Sequence, residues 1–354
     1  MRNPWAQTGN YKTSYRQDTT IFATYLEELS LILFLVALLF LPFFFGRPGM
    51  LVVDLILVYS LAVLGLNITT GYAGLINIGQ AAFMGVGAYT TALLAPGLPF
   101  WLAIPIGGLA GAIAGGLVGI PSLRIKHLYL AIATLAFQII FEWTVGHAPL
   151  LKQGGAIPMP RVVFLGYKVG YKNHYYFWYY VALITVVLLA FAFRNLLRTR
   201  FGRALIAVRD NDRAADAMGM HPGLTKIFAF ALGGFYAGVA GGLYAYLSRA
   251  VVIEDYMLPV SIMFLAMAIV GGLGSLVGSF LGPLFLVLLD VNMEDFANWL
   301  KALGLSYSGV DIASAMRPLA FGLVIVLFLI FEPRGLANWW RLVRNYFKNW
   351  PFRY

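Results

Sequence analysis

Leu31-Ile-Leu-Phe-Leu-Val-Ala-Leu-Leu-Phe-Leu-Pro-Phe-Phe-Phe45 contains no polar side chain and no alternation. A transmembrane barrel strand alternates apolar and polar residues with period two, so this run excludes a barrel. A helix of about 20 apolar residues spans the hydrocarbon of a bilayer, and comparable runs recur along the chain with short polar breaks. The composition agrees, because 60% of the 354 residues are hydrophobic and only 11% are charged. A soluble domain of this size needs many more charges to cover its surface. The fold class is therefore all-α and polytopic, in a membrane.

Apolar windows predict about ten crossings, some short or broken, near 29–46, 51–68, 76–95, 101–120, 127–146, 175–194, 226–248, 257–272, 275–290 and 316–332. Basic residues set the orientation. The N-terminal tail, the turn with Arg124, Lys126 and His127, the connector 194–226 and the tail with Arg334, Arg341, Arg344 and Lys348 all fall on one side, the cytoplasm. The net charge of +10 needs no nucleic acid to explain it. The outer loop 147–174 carries Lys152, Arg161, Lys168 and Lys172 against this rule, and its Pro/Gly content suits a lid or docking surface. These assignments divide the chain into a cytoplasmic tail 1–26, a transmembrane domain 27–334 and an amphipathic C-terminal segment 335–354. In that last segment Leu336, Trp339, Trp340, Val343, Tyr346, Phe347 and Trp350 recur at three- and four-residue steps between basic residues, the pattern of an interfacial helix.

Two segments are richer in glycine than packing alone requires, Gly65-Leu-Asn-Ile-Thr-Thr-Gly-Tyr-Ala-Gly-Leu-Ile-Asn-Ile-Gly-Gln80 and Gly271-Gly-Leu-Gly-Ser275. A glycine costs about 1 kcal/mol relative to alanine inside a helix. In the first segment Asn67, Thr69, Thr70, Asn77 and Gln80 are polar within an apolar region, which predicts an unwound stretch lining a solute path. Ordinary interhelical hydrogen bonding is the competing reading. The second segment reads equally well as a tight turn, and the glycines from Gly107 to Gly119 as a close-packing face. Blocks of four spans, two to five and seven to ten, fit the arithmetic of an inverted repeat.

Catalytic chemistry has no visible site. The four histidines, His127, His147, His174 and His221, fall in expected loops without metal-ligand spacing. Cysteine is absent. Asp54, the carboxylate nearest to a mid-membrane position, reads as a solvated helix-end residue, which counts against ion-coupled transport. No Walker A sequence occurs, so this chain binds no ATP and no other cofactor of its own.

The cytoplasmic connector is the exception to this lack of charge. Arg194, Arg198, Arg200, Arg203, Arg209, Arg213 and Lys226 alternate with Asp210, Asp212 and Asp216, and the small and apolar residues between them predict a helix closed by Gly219. Within it, Arg213-Ala-Ala-Asp-Ala-Met-Gly219 resembles the Glu-Ala-Ala-x-x-x-Gly coupling motif of ATP-binding cassette importers, with Arg213 in place of the glutamate. The run Arg200 to Gly219 is similar to the second permease of the branched-chain amino-acid importers. So are Gly65-Leu-Asn67, Gly71-Tyr-Ala-Gly74, Gly85-Val-Gly-Ala-Tyr89, Leu130-Ala-Ile-Ala-Thr-Leu-Ala-Phe137, Gly271-Gly-Leu-Gly-Ser275 and Phe331-Glu-Pro-Arg-Gly335. The resemblance covers roughly residues 50–340. Gln80 replaces a histidine common in that family, and Arg124 to Tyr129 and Gln153 to Ile157 stray from its patterns.

The resemblance implies a type II importer-like permease of the prokaryotic plasma (inner) membrane with both termini cytoplasmic. It implies a homologous second permease, two cytoplasmic ATPase subunits that hold ATP and Mg, an extracytoplasmic substrate-binding protein, and leucine, isoleucine or valine as cargo. Arg203, Arg209, Asp210, Asp212, Arg213, Ala214, Ala215 and Gly219 would form the ATPase contact; solvated cytoplasmic charge is the competing reading. Members of the same family also carry urea, short amides and other amino acids, and a stand-alone channel for a small neutral solute is the rival from a different class.

Overall fold

Each of the ten apolar windows carries a helix in the computed structural model, which describes residues 25–123, 128–148, 156–164, 167–168, 170, 173–302, 312–332 and 334–348. The expected tail through residue 24, the turn with Arg124, Lys126 and His127, and the residues Lys152 and Lys172 lie outside the described residues. The ten helices are α1 (Tyr25–Phe40), α2 (Arg47–Leu66), α3 (Gln80–Leu94), α4 (Phe100–Gly119), α5 (Leu128–His147), α6 (His174–Leu196), α9 (Pro222–Ser248), α10 (Leu258–Gly271), α11 (Gly278–Ala302) and α12 (Ile312–Phe331). Between α6 and α9 lie the shorter α7 (Arg200–Asp210) and α8 (Asp212–Ala217), and α13 (Leu336–Lys348) closes the described chain. Among the described residues five segments, Arg47–Tyr72, Phe100–Leu123, Tyr129–His147, His174–Leu196 and Pro222–Ser248, are long and apolar enough to cross a membrane.

Several expected boundaries move. α2 begins at Arg47 rather than near 51, with Pro48 in its first turn, where a missing N–H costs nothing. α11 continues to Ala302, although a loop was expected from Val291. His147 ends α5, and His174 opens α6 with its Nε2 3.1 Å from the Leu247 carbonyl, so these two histidines sit on helix ends. The outer loop is not wholly irregular. Its strand β1 (Ala156–Pro158) pairs antiparallel with β4 (Ala250–Val252) beyond α9, and β2 (Val163–Phe164) pairs with β3 (Tyr167–Lys168).

Asp54 corrects the sequence reading most clearly. It is 1% exposed rather than solvated, and neither carboxylate oxygen has a hydrogen-bond partner among the described residues. The cause is the packing of α6 on the first turns of α2, where Met50, Tyr179 and Leu183 form one buried cluster. The Tyr179 hydroxyl donates to the Leu38 carbonyl at 2.6 Å and ties α6 to α1 as well.

α9 is the central helix, packed lengthwise against α4 and flanked by α3 and α2. Small residues allow this approach. A Cβ on Gly111 would collide with the Gly234 carbonyl, and one on Gly238 would lie 2.7 Å from the Gly107 carbonyl. With no hydrophobic drive between helices in lipid, backbone-to-backbone contact supplies the packing, and the close-packing reading of Gly107 to Gly119 holds. We expect Gly234→Leu to destabilise the detergent-solubilised protein by about 1–3 kcal/mol through overpacking. Gly116, whose nearest neighbour would be Ala231 at 3.9 Å, should accept leucine with an unchanged melting temperature.

Candidate functional site: a broken helix clasped from two sides

α2 does not end cleanly. Its last turn widens into a π-helix over Asn67–Tyr72, and the chain then runs irregularly to Gln80, where α3 begins. Irregular backbone at membrane depth survives only where its N–H and C=O groups find partners in the protein, and several of the donors here do so. Ala73 N–H donates to Ile68 O at 3.1 Å, and Leu75 N–H to Thr69 O at 2.9 Å. Ile78 N–H donates to Thr134 Oγ1 at 3.0 Å, and Gly79 N–H to Asn77 Oδ1 at 2.9 Å. The first N–H groups of α3, which no helix can satisfy internally, reach side chains on α10 and α5. Ala81 N–H donates to Ser261 Oγ at 2.8 Å, and Ala82 N–H to Gln138 Oε1 at 2.9 Å.

Gln138 binds more than α3. Its Nε2 donates to Tyr256 O at 2.7 Å and to Glu142 Oε1 at 3.0 Å, while Glu142 accepts Leu258 N–H at 2.8 Å and so caps α10. Beside this knot the short turn Ile253–Tyr256 carries Asp255, whose carboxyl burial pushes above its ordinary range.

Asn67 joins the two glycine-rich segments. Its Nδ2 donates to Ser275 O and to Ser279 Oγ, each at 2.8 Å, and its Oδ1 accepts Gly274 N–H at 2.7 Å. Gly274 has φ +75°, a conformation that strains any residue with a Cβ, so the Gly271 to Ser275 segment is the tight turn. The same turn meets the C-terminal region: a Cβ on Gly272 would lie 2.7 Å from the Arg334 carbonyl.

The other polar residues of the break serve the chain itself. Asn77 Nδ2 donates to Gln80 Oε1 at 2.8 Å, Gln80 Nε2 to Ala62 O at 2.8 Å, and Thr69 Oγ1 to Leu66 O at 2.9 Å. Asn67, Thr69, Asn77 and Gln80 are all buried in this conformation. Thr70 differs, with a buried hydroxyl that has no partner among the described residues.

The connector 194–226 carries two helices, α7 and α8, rather than the single one expected. Asn211 is extended (φ −162°, ψ 107°) and ends α7, and its Oδ1 then caps α8 by accepting Arg213 N–H at 3.0 Å and Ala214 N–H at 3.2 Å. Gly219, at φ +79°, terminates α8 as the sequence requires. Leu205, Val208 and Ala215 are buried against the domain, while Arg203, Asp210, Arg213, Ala214 and Gly219 are exposed. Met218, at the tip, is 82% exposed. Asp212 is drawn inward, its Oδ2 2.5 Å from Lys226 Nζ, and this half-buried pair fixes α8 to the first turn of α9. Arg209 also turns inward and donates from Nη1 to the Gly71 carbonyl at 3.1 Å.

This arrangement sets the connector α7–α8 against a broken membrane helix, and residues 50–331 match the permease component of branched-chain amino acid transport systems. The chain belongs to that permease family. It is 34% identical over 332 residues to the high-affinity branched-chain amino acid transport system permease protein LivM of Escherichia coli, an alignment covering 86% of this chain and 74% of the relative. It is 30% identical to a probable branched-chain amino acid transport permease protein LivH of Methanocaldococcus jannaschii, over 63% of this chain and 72% of that one. It is 27% identical to the autoinducer 2 import system permease protein LsrC of Escherichia coli, over 75% of this chain and 78% of the relative. No solved structure matches significantly.

In this permease, sequence reasoning missed Thr134, Gln138, Glu142, Ser261, Ser275 and Ser279, the partners that complete the two breaks. Among the described residues no group of three His, Cys, Asp or Glu side chains is placed to hold a metal. Replacing Asn67 by leucine leaves Gly274 N–H and the Ser275 carbonyl without this partner. At roughly 0.6 kcal/mol per interhelical bond in a membrane, we expect a loss of about 2 kcal/mol and faster hydrogen exchange in 271–275, read by mass spectrometry of the purified permease.

Proposed function

We propose that this permease is the membrane subunit of an ATP-binding cassette importer that carries branched-chain amino acids inward. The observation that carries the reading is the capped, solvent-facing connector α7–α8 on a chain that shares its family and most of its length with LivM. An exposed methionine tip among arginines and aspartates suits a protein partner better than a lipid headgroup layer, since interfaces favour Met and Arg at their cores. Two cytoplasmic ATPase subunits, holding ATP and Mg, would receive Arg203, Asp210, Arg213, Ala214 and Met218. The inward-turned Asp212 and Ala215 would hold α8 in place for them.

A homologous second permease completes the conduit, because one such chain has no two-fold mate, and an extracytoplasmic binding protein delivers the amino acid to the outer loops. The chain crosses the membrane ten times in a type II importer-like arrangement with inverted halves. Both termini are cytoplasmic, and the tryptophans of α13 lie at headgroup level. The break 67–80 forms the wall of the path. Its amides set the shape of that wall by hydrogen bonding to the chain, and Thr70 offers its hydroxyl.

The test is reconstitution of the permease with the products of its neighbouring genes in liposomes. Leucine, isoleucine and valine should each stimulate ATP hydrolysis with the cognate binding protein, against urea, other amino acids and autoinducer 2 as comparison solutes. Ala214→Asp with Met218→Asp should release the ATPase subunits on size-exclusion chromatography and lower uptake more than tenfold. Stimulation by a different solute class would replace the cargo. Solute flux through this chain alone, without nucleotide, would replace the importer with a channel.

A further inference from the structure

Arg209 occupies a place that an ATPase-contacting residue would not need. It sits on the last turn of α7, yet its side chain runs towards the membrane domain rather than away from it. Nη1 donates to the carbonyl of Gly71 inside the π-helical stretch, and Nε bonds to Asp210 Oδ1 at 3.1 Å, so two of the three guanidinium nitrogens are engaged while 40% of the side chain stays exposed. The stem lies over Gly74. A Cβ on Gly74 would stand 2.6 Å from Arg209 Cγ, and that glycine has φ +67°. The far end lies beside the second break: a Cβ on Gly274 would be 3.4 Å from Arg209 Nη1 and 3.4 Å from the Gly71 carbonyl oxygen.

One side chain of the connector therefore touches both broken segments, at the point where Asn67 already ties them together through Gly274 N–H. The carbonyl it binds is significant. A π-helical turn displaces carbonyls from the regular i→i−4 ladder, and a buried acceptor left without a donor is costly in a membrane. A charged donor makes a stronger hydrogen bond than a neutral one. Holding Gly71 O thus stabilises the π conformation over the straight helix that would otherwise continue α2.

We propose that Arg209 is the positioning residue through which the connector sets the state of the 67–75 break: movement of α7 withdraws the guanidinium from Gly71 O, and the break rearranges. The inference rests on the importer reading for the source of the movement, and it reassigns Arg209 from the ATPase-facing surface to the inner face of the connector. Arg203, Asp210 and Arg213 remain on the outer surface. The conservative variant has a defined expectation. A lysine at 209 keeps one charged donor on a flexible stem and can reach Gly71 O, but it cannot hold Asp210 at the same time through a second nitrogen.

The experiment compares wild type, Arg209→Lys and Arg209→Ala in the assembled complex with its ATPase subunits. Hydrogen–deuterium exchange of peptides covering 66–79 is followed with and without a non-hydrolysable ATP analogue, alongside amino-acid uptake in liposomes. In the wild type, nucleotide should change exchange in both α7 and 66–79. Arg209→Ala should keep the α7 response and co-purification of the ATPase subunits, lose the 66–79 response and lower uptake at least tenfold. Arg209→Lys should restore most of both. Combined with Asn67→Ala, Arg209→Ala should lower uptake little further than the worse single variant, because the two act on one junction.

A nucleotide response at 66–79 that survives in Arg209→Ala overturns the proposal. So does loss of the ATPase subunits in Arg209→Ala with rescue by lysine, which returns Arg209 to the outer contact surface. A wild-type complex that shows the exchange response but takes up no branched-chain amino acid removes the cargo reading and leaves the positioning role standing.

Discussion

Inside a bilayer no backbone N–H or C=O can turn to water for a partner, and the architecture of this permease follows from how it meets that constraint where its helices stop. The break between α2 and α3 exposes a run of donors that would each be expensive if orphaned. Those of Ile78, Gly79, Ala81 and Ala82 are satisfied by Thr134 and Gln138 of α5, Ser261 of α10 and Asn77 of the break itself. Because those partners come from helices distant in sequence, the break acts as the joint where α3, α5 and α10 are fastened. The turn between α10 and α11 is fastened in the same way by Asn67.

Two kinds of contact hold the helices, and they differ in how they respond to load. Along α4 and α9, glycines let backbone press on backbone, a close-packed arrangement that resists deformation because any approach is a collision. At the two breaks, discrete hydrogen bonds from Asn67, Gln80 and Gln138 do the joining. Hydrogen bonds can exchange one acceptor for another with little net change in free energy, whereas interlocked glycine faces cannot slide without opening a void. The fold thus divides into a close-packed pair of helices and a surrounding shell joined by discrete hydrogen bonds.

Much of this was legible in the chain. The ten apolar windows each hold a helix because apolar length is a strong signal in a bilayer, and the break at 65–80 announced itself through glycines and amides set among aliphatic residues. The destination of those amides was not legible. Asn67 finds Ser275 and Ser279 more than 200 positions away, and nothing local marks that pairing. One signal was available and went unused: Thr134, Gln138 and Glu142 stand at four-residue steps on α5, a polar stripe along a largely apolar helix. Asp54 misled for the opposite reason. Near a helix start it reads as solvated, and only the packing of α6 over α2 buries it.

The connector shows why charge alone does not mark a contact surface. Read along the sequence, Arg209, Asp210, Asp212 and Arg213 are four neighbouring charges of equal standing. The extended conformation of Asn211 splits the helix between them and changes which way each points: Asp210 and Arg213 face outwards, Asp212 turns to Lys226, and Arg209 turns to the π-helix. A continuous helix would have placed Arg209 and Arg213 on one face, four residues apart. The break separates them, giving Arg213 to the exposed surface and Arg209 to the contact with Gly71. A two-helix connector can therefore do what a single helix cannot, presenting an exposed outer surface while keeping an inner contact with the broken segment.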